Sequence, residues 1–177
     1  MEHADHVRLL ASGVPQGEGG AWADLGAGAG AFTLALADLI GPHGLIHAVD
    51  RDRGALTELH AAAVSAIPTA EIRTTVGDFT RRLDLADLDG VVMANSLHFI
   101  EDKLPVLALV REYLRPGGRL LLVEYDSDRG NPWVPHPITF ETWRQTATAA
   151  GFVETRKLAT VPSRFLGRIY SALSLAA

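Results

Sequence analysis

The chain has 177 residues, 47% of them apolar and 21% charged, a globular composition that fits one domain with a core of its own. Sixteen Lys and Arg against 21 Asp and Glu give a formal net charge of −5, without the basic stripe that gripping a phosphate backbone requires. There is no cysteine, which excludes disulfides, a thiolate nucleophile and a cysteine-held zinc.

The N-terminus, Met1-Glu2-His3-Ala4-Asp5, lacks the basic and apolar regions of a signal peptide. No apolar run approaches the ~18 residues of a membrane span, so a cytoplasmic location is expected. One amphipathic segment, His3–Leu10, forms a short cap within residues 1–20. Its His3 and His6 share a helix face but lack a third ligand, so no metal is expected.

From Ala21 onward, short apolar runs alternate with stretches of helical periodicity. Ala21–Leu25 reads as a strand, followed by a helix from about Ala29 to Ile40 that Gly41-Pro42 stops. Leu45–Asp50 is a second strand, and the helix Ala55–Ala66 ends before Pro68. The β-branched run Ile72–Val76 is a third strand. Val91–Asn95 is the fourth, leading to a helix near Lys103–Leu114, and Arg119–Tyr125 is the fifth, entered through the turn Pro116-Gly117-Gly118. A polar segment with three prolines, Asp126–Pro137, precedes a helix at Phe140–Ala150 capped by Gly151. Two last strands, Phe152–Val161 and Phe165–Leu173, are separated by Pro162-Ser163-Arg164. That link is too short for a parallel crossover, so the pair is an antiparallel hairpin. Apolar strands alternating with helices imply a doubly wound, Rossmann-like α/β fold: a mostly parallel, seven-stranded sheet with an antiparallel C-terminal hairpin strand, in a single domain spanning 1–177.

The segment richest in chemistry is Asp24-Leu25-Gly26-Ala27-Gly28-Ala29-Gly30, where the first strand meets the first helix. Glycine allows the positive φ of a tight turn and lets a ligand lie against bare backbone. The helix start beyond it offers free N–H groups to an anionic group. Two cofactors suit such a loop. Gly26, Gly28 and Ala31 satisfy the dinucleotide fingerprint, with Asp50 placed for a ribose, which makes an NAD(P)-dependent oxidoreductase the alternative. Three features favour S-adenosylmethionine. Asp24 stands at the strand end where it can face a cationic ammonium, Gly77-Asp78-Phe79 supplies an acid and a ring suited to adenine, and the helixless final hairpin is foreign to a dinucleotide domain.

Taken in order, these motifs resemble the class I S-adenosylmethionine-dependent methyltransferases. The resemblance covers roughly residues 20–125 and, in topology, the tail. It implies that Asp24, Gly26, Ala27, Gly28 and Gly30 form the nucleotide loop and that Asp50, with Arg51 beside it, holds the ribose hydroxyls. Asp78 and Phe79 then contact adenine, Asn95 and Ser96 belong to the segment Asn95–Phe99 after the fourth strand, and Leu114–Leu120 is the turn into the fifth. The implied cofactor is S-adenosylmethionine, leaving as S-adenosylhomocysteine.

In-line methyl transfer asks an enzyme mainly to align the acceptor and exclude water. His98 is the candidate base, against the plainer role of a histidine that packs or caps the next helix. Tyr125 leaves the fifth strand at the same edge, either facing the acceptor or covering the sheet end. Asp126–Pro137 reads as an acceptor-side loop with Trp133 as its apolar face, or as a plain connector. Arg164 and Tyr170 are candidate substrate contacts, or residues on the wet face of the hairpin. The Asn/Asp-Pro-Pro-Tyr/Phe signature of amino-group methylation is missing after the fourth strand. The expected partner is a small-molecule methyl acceptor, with no nucleic acid and no membrane. A homodimer is left open. So is a non-catalytic partner subunit that only binds S-adenosylmethionine.

Overall fold

In the computed structural model, residues 1–68 and 70–177 are described. The elements run α1 (His3–Leu10), β1 (Gly20–Leu25), α2 (Ala31–Ile40), β2 (Gly44–Asp50), α3 (Arg53–Ala66) and β3 (Glu71–Val76). They continue with β4 (Leu88–Ala94), a single 3-10 turn at Leu97–Phe99, α4 (Leu104–Tyr113), β5 (Leu114–Tyr125), α5 (Phe140–Ala149), β6 (Phe152–Pro162) and β7 (Arg168–Ala176). The sheet has seven strands in the order β3-β2-β1-β4-β5-β7-β6. The first five pair in parallel, while β7 runs antiparallel to both β5 and β6.

Side-chain alternation along the strands explains the two cores. Trp22, Ile46, Val92, Leu121 and Val123 face α1 and α2, and the α2 helix is apolar nearly all round because it is buried there. Ala23, Leu25, Val91, Met93, Leu120 and Leu122 face the other way, onto Val106, Leu107 and Val110 of α4 and Trp143 of α5. Leu56 and Leu59 of α3 close over Ala48. Covering both faces leaves the carboxyl edge of the sheet as the open rim. Strand order reverses between β1 and β4, the place where such sheets open a crevice for ligands.

Local chemistry shifts several boundaries. The first long helix starts at Ala31 and not near Ala29, because Gly30 takes a left-handed φ of 91°. The α3 helix starts two residues before the expected Ala55, since the Asp52 carboxylate caps it through Gly54 N and Ala55 N. The expected turn at Pro116-Gly117-Gly118 lies inside β5 as an irregularity: Leu88 pairs with Leu114 but Gly90 with Arg119. Two register shifts, Lys157 and a terminal Pro162 mark β6 as a protected sheet edge. No helix among the described residues is long and apolar enough to cross a membrane.

Candidate active site

At the switch point, the β1–α2 turn is held down by the neighbouring strand. Gly26 N and Ala27 N both donate to Val49 O, at 2.8 and 3.1 Å. A Cβ on Gly26 would sit 2.4 Å from the Ser96 Cβ, so the β4 terminus presses directly on the loop. Gly28 is different: it has a left-handed φ of 52° and nothing within 4 Å of a notional Cβ. Its bare backbone faces open space, where a ligand can approach. Beyond it, α2 begins with no side-chain cap, leaving its first-turn N–H groups without helical acceptors.

Around this turn lies a cavity of about 350 Å³, lined by Gly26, Gly28, Asp50, Arg51, Asp78, Phe79, Asn95 and Ser96 among others. Asp50 ends β2 with both oxygens engaged once, Oδ2 by Gly28 N at 2.8 Å and Oδ1 by Asp52 N at 2.8 Å. Each oxygen keeps a lone pair for a further donor. Asp78 follows β3, and hydrogen bonds from the Thr80 hydroxyl and backbone hold its carboxyl below the usual range. Asn95 follows β4 in a left-handed conformation with φ 52°, and its Oδ1 is buried without a hydrogen-bond partner among the described residues. Ser96 is spent on structure, its hydroxyl donating to Leu25 O at 2.8 Å.

Three residues expected at the cofactor do not line this cavity. Asp24, expected to face an ammonium, is buried, accepts the Thr33 hydroxyl at 2.6 Å and does not line the cavity. Burial pushes its carboxyl up to about 6. Gly30 packs against Leu59, with a notional Cβ only 2.5 Å from Leu59 Cγ, and Ala27 joins the small core under α3. These positions shape the loop from beneath.

The residues expected to face an acceptor do not gather at one place. Tyr125 and Arg164 do come together, along a cavity of about 530 Å³ that Glu2, Asp5, Phe165 and Ile169 also line. Tyr170 corrects the expectation: it is fully buried, and its hydroxyl donates to Ile138 O at 2.9 Å. The β7 alternation puts its ring in the core with Leu120 and Leu122. Trp133 is exposed on its loop. That loop lines a third cavity of about 410 Å³ with Lys103 and Thr142, between α4 and α5, and does not cover the glycine turn. His3 pairs with Asp38 at 2.7 Å, whereas the tilted ring of His6 packs against Phe32.

His98 is nearly buried, and its Nδ1 lies 3.1 and 3.0 Å from the two carboxylate oxygens of Glu124. Sequence reasoning missed Glu124. The available signal was an acid at the end of the apolar run Leu120–Val123, a residue type almost never fully buried unless paired. Lys103, donating to Ile100 O and His136 O, was missed for the same reason.

A family model described as a methyltransferase domain matches residues 23–120, from β1 through the glycine turn to the middle of β5. Comparison with curated proteins finds no match. Among solved structures, the chain resembles an arsenic(III) S-adenosylmethionine methyltransferase from Chlamydomonas reinhardtii, with 21% identity and a TM-score of 0.73, covering 92% of this chain and 65% of that one. A SAM-dependent methyltransferase from Aquifex aeolicus is similar at 17% identity and TM-score 0.76, over 98% of this chain and 90% of that one. The YcgJ protein from Bacillus subtilis gives 14% identity and TM-score 0.77, over 98% of both chains. The chain thus spans just under two thirds of the algal protein and nearly all of the two bacterial ones.

Proposed function

Because the chain belongs to the methyltransferase domain family, we propose that it moves a methyl group from S-adenosylmethionine to a small-molecule acceptor by in-line transfer. The observation that carries this reading is the convergence, in one cavity, of the bare Gly28 backbone, the Asp50 carboxylate and the Asp78-Phe79 pair. A group with ribose hydroxyls suits that set, because Asp50 has lone pairs to spare for hydroxyls. Asp78 and Phe79 offer an acceptor and an aromatic face for adenine.

When bound, the cofactor supplies an electrophilic methyl group on a sulfonium. In this reading the residues here bind and orient it, and Asn95, Ser96, Phe99 and Ile100 wall the cavity against water. The cavity at Tyr125 and Arg164 is the acceptor's place in this reading, with Arg164 available to an anionic group and Tyr125 and Phe165 to an apolar one. Family membership takes precedence over the dinucleotide reading of Gly26, Gly28 and Ala31.

The test is transfer of labelled methyl from S-adenosylmethionine to a panel of small phenols, amines, thiols and carboxylates, with oligonucleotide and protein substrates alongside. Label in one or more small molecules and in neither polymer supports the proposal. Label in a polymer alone overturns the small acceptor. Cofactor binding with no transfer to anything favours the partner-subunit reading.

A further inference from the structure

Lys103 stands at the N-cap of α4 and is only 7% exposed, a burial that lysine almost never reaches without a partner charge. Its Nζ donates to Ile100 O at 2.8 Å and to His136 O at 3.1 Å. An ammonium has three N–H groups, so one donor is left over. Lys103 forms no ion pair among the described residues. The fields of Glu124 and Glu101 reach it, yet burial outweighs both and holds its pKa below the usual lysine value. A buried cation held by two carbonyl dipoles is short of a counter-ion.

Lys103 lines the cavity of about 410 Å³ between α4 and α5, together with Thr142. The Thr142 Oγ1 accepts the Thr139 hydroxyl at 3.0 Å, and its own O–H has no acceptor among the described residues. One charged and one neutral donor thus belong to the same lining. Glu101 and Asp128 also line it, both exposed and neither in a hydrogen bond or ion pair of its side chain among the described residues. Asp102 is spent on the helix, where its carboxylate accepts Leu104 N at 3.2 Å. Leu104, 44% exposed, and the buried Ile138 give the lining an apolar part.

The unmet charges of this cavity have opposite signs. A plain anion would satisfy Lys103 but meet Glu101 and Asp128, and a plain cation would do the reverse. We infer that the cavity is a second ligand site, and that it takes a small zwitterion, an α-amino acid with an apolar side chain. The carboxylate goes to Lys103 Nζ and Thr142 Oγ1, a charge-assisted pairing that supplies the missing counter-ion. The ammonium turns to Glu101 and Asp128, and the side chain lies against Leu104 and Ile138. The site is separate from the one at the glycine turn, since the two cavities share no lining residue. They do share a wall: Ile100, whose carbonyl Lys103 holds, lines the other cavity.

The test is an NMR titration of the ¹⁵N-labelled full chain with leucine, isoleucine, valine and phenylalanine. Two halves of leucine, 4-methylpentanoate and 3-methylbutylamine, are titrated alongside. The expected result is saturable movement of the Glu101, Lys103, Thr142 and Thr146 amide signals with at least one amino acid. Each half-molecule is expected to bind about tenfold more weakly than leucine, for want of one charged contact. Lys103→Met is expected to abolish binding, but it also strips Ile100 O and His136 O of their donor. The double variant Glu101→Gln/Asp128→Asn changes only exposed side chains, and it is expected to bind leucine no better than the wild type binds 4-methylpentanoate. No saturable movement at these four residues with any of the six compounds overturns the site. Equal affinity for leucine and 4-methylpentanoate, or leucine binding that the double variant keeps in full, overturns the zwitterion.

Discussion

Asp50 Oδ2 accepts the backbone N–H of Gly28 at 2.8 Å, joining the end of β2 to the glycine turn after β1. The two strands are neighbours in the sheet, so this bond fixes the floor and one wall of the cavity as a single surface.

Asp50→Ala removes both this bond and the carboxylate's capacity to take ligand hydroxyls. Cofactor affinity is expected to fall by about 1–3 kcal/mol, the cost of lost hydrogen bonds to a charged group. Equilibrium dialysis with labelled cofactor measures it, and circular dichroism checks that the fold is kept. Unchanged affinity would remove Asp50 from the site.

Gly26 and Gly28 predict opposite phenotypes. Gly26→Ala drives a Cβ to within 2.4 Å of Ser96 Cβ, so the expected effect is loss of thermal stability first and of binding as a consequence. Gly28→Ala has free space, apart from about 1 kcal/mol of left-handed strain, and puts its methyl where the ligand comes. It is expected to cost binding while shifting Tm by only a few degrees. Parallel Tm and dialysis measurements separate the two, and equal effects in both would contradict the geometry.

Asp24 makes stability depend on pH with an unusual sign. Its carboxyl, raised by burial from 3.8 to about 6, binds a proton more tightly folded than unfolded. Folding stability therefore falls as pH rises from about 4 to about 6, by on the order of 3 kcal/mol, and is flat above. Asp24→Asn is expected to abolish that slope in denaturant titrations across the window. A slope that survives the substitution assigns it to other groups.

Tyr170→Phe tests the residue that moved from the acceptor side to the core. Loss of its hydroxyl leaves Ile138 O without that donor, an expected cost of about 1–3 kcal/mol in denaturant unfolding. The acceptor KM is expected to be unchanged, and a raised KM would return Tyr170 to the substrate.

Local features were readable in the chain, and tertiary ones were not. The glycine turn, Asp50, Asp78 and the final hairpin show in the sequence because each follows from residues close in sequence and from strand periodicity. Glu124 and His98 are 26 residues apart, and their meeting depends on β4 and β5 being neighbours in register. Asp24 was visible at the strand end, yet its direction was set by Thr33, one turn into the next helix. Tyr170 was misplaced because a strand followed by a short antiparallel link looks half-wet, whereas β7 lies between β5 and β6 and is buried on both faces.

The most direct test of the account is a calorimetric titration of the wild-type chain with S-adenosylhomocysteine. Saturable binding at one site per chain, weakened in Asp50→Ala and in Gly28→Ala, is the predicted result. No heat of binding to well-folded protein, or binding that both substitutions leave untouched, would contradict it.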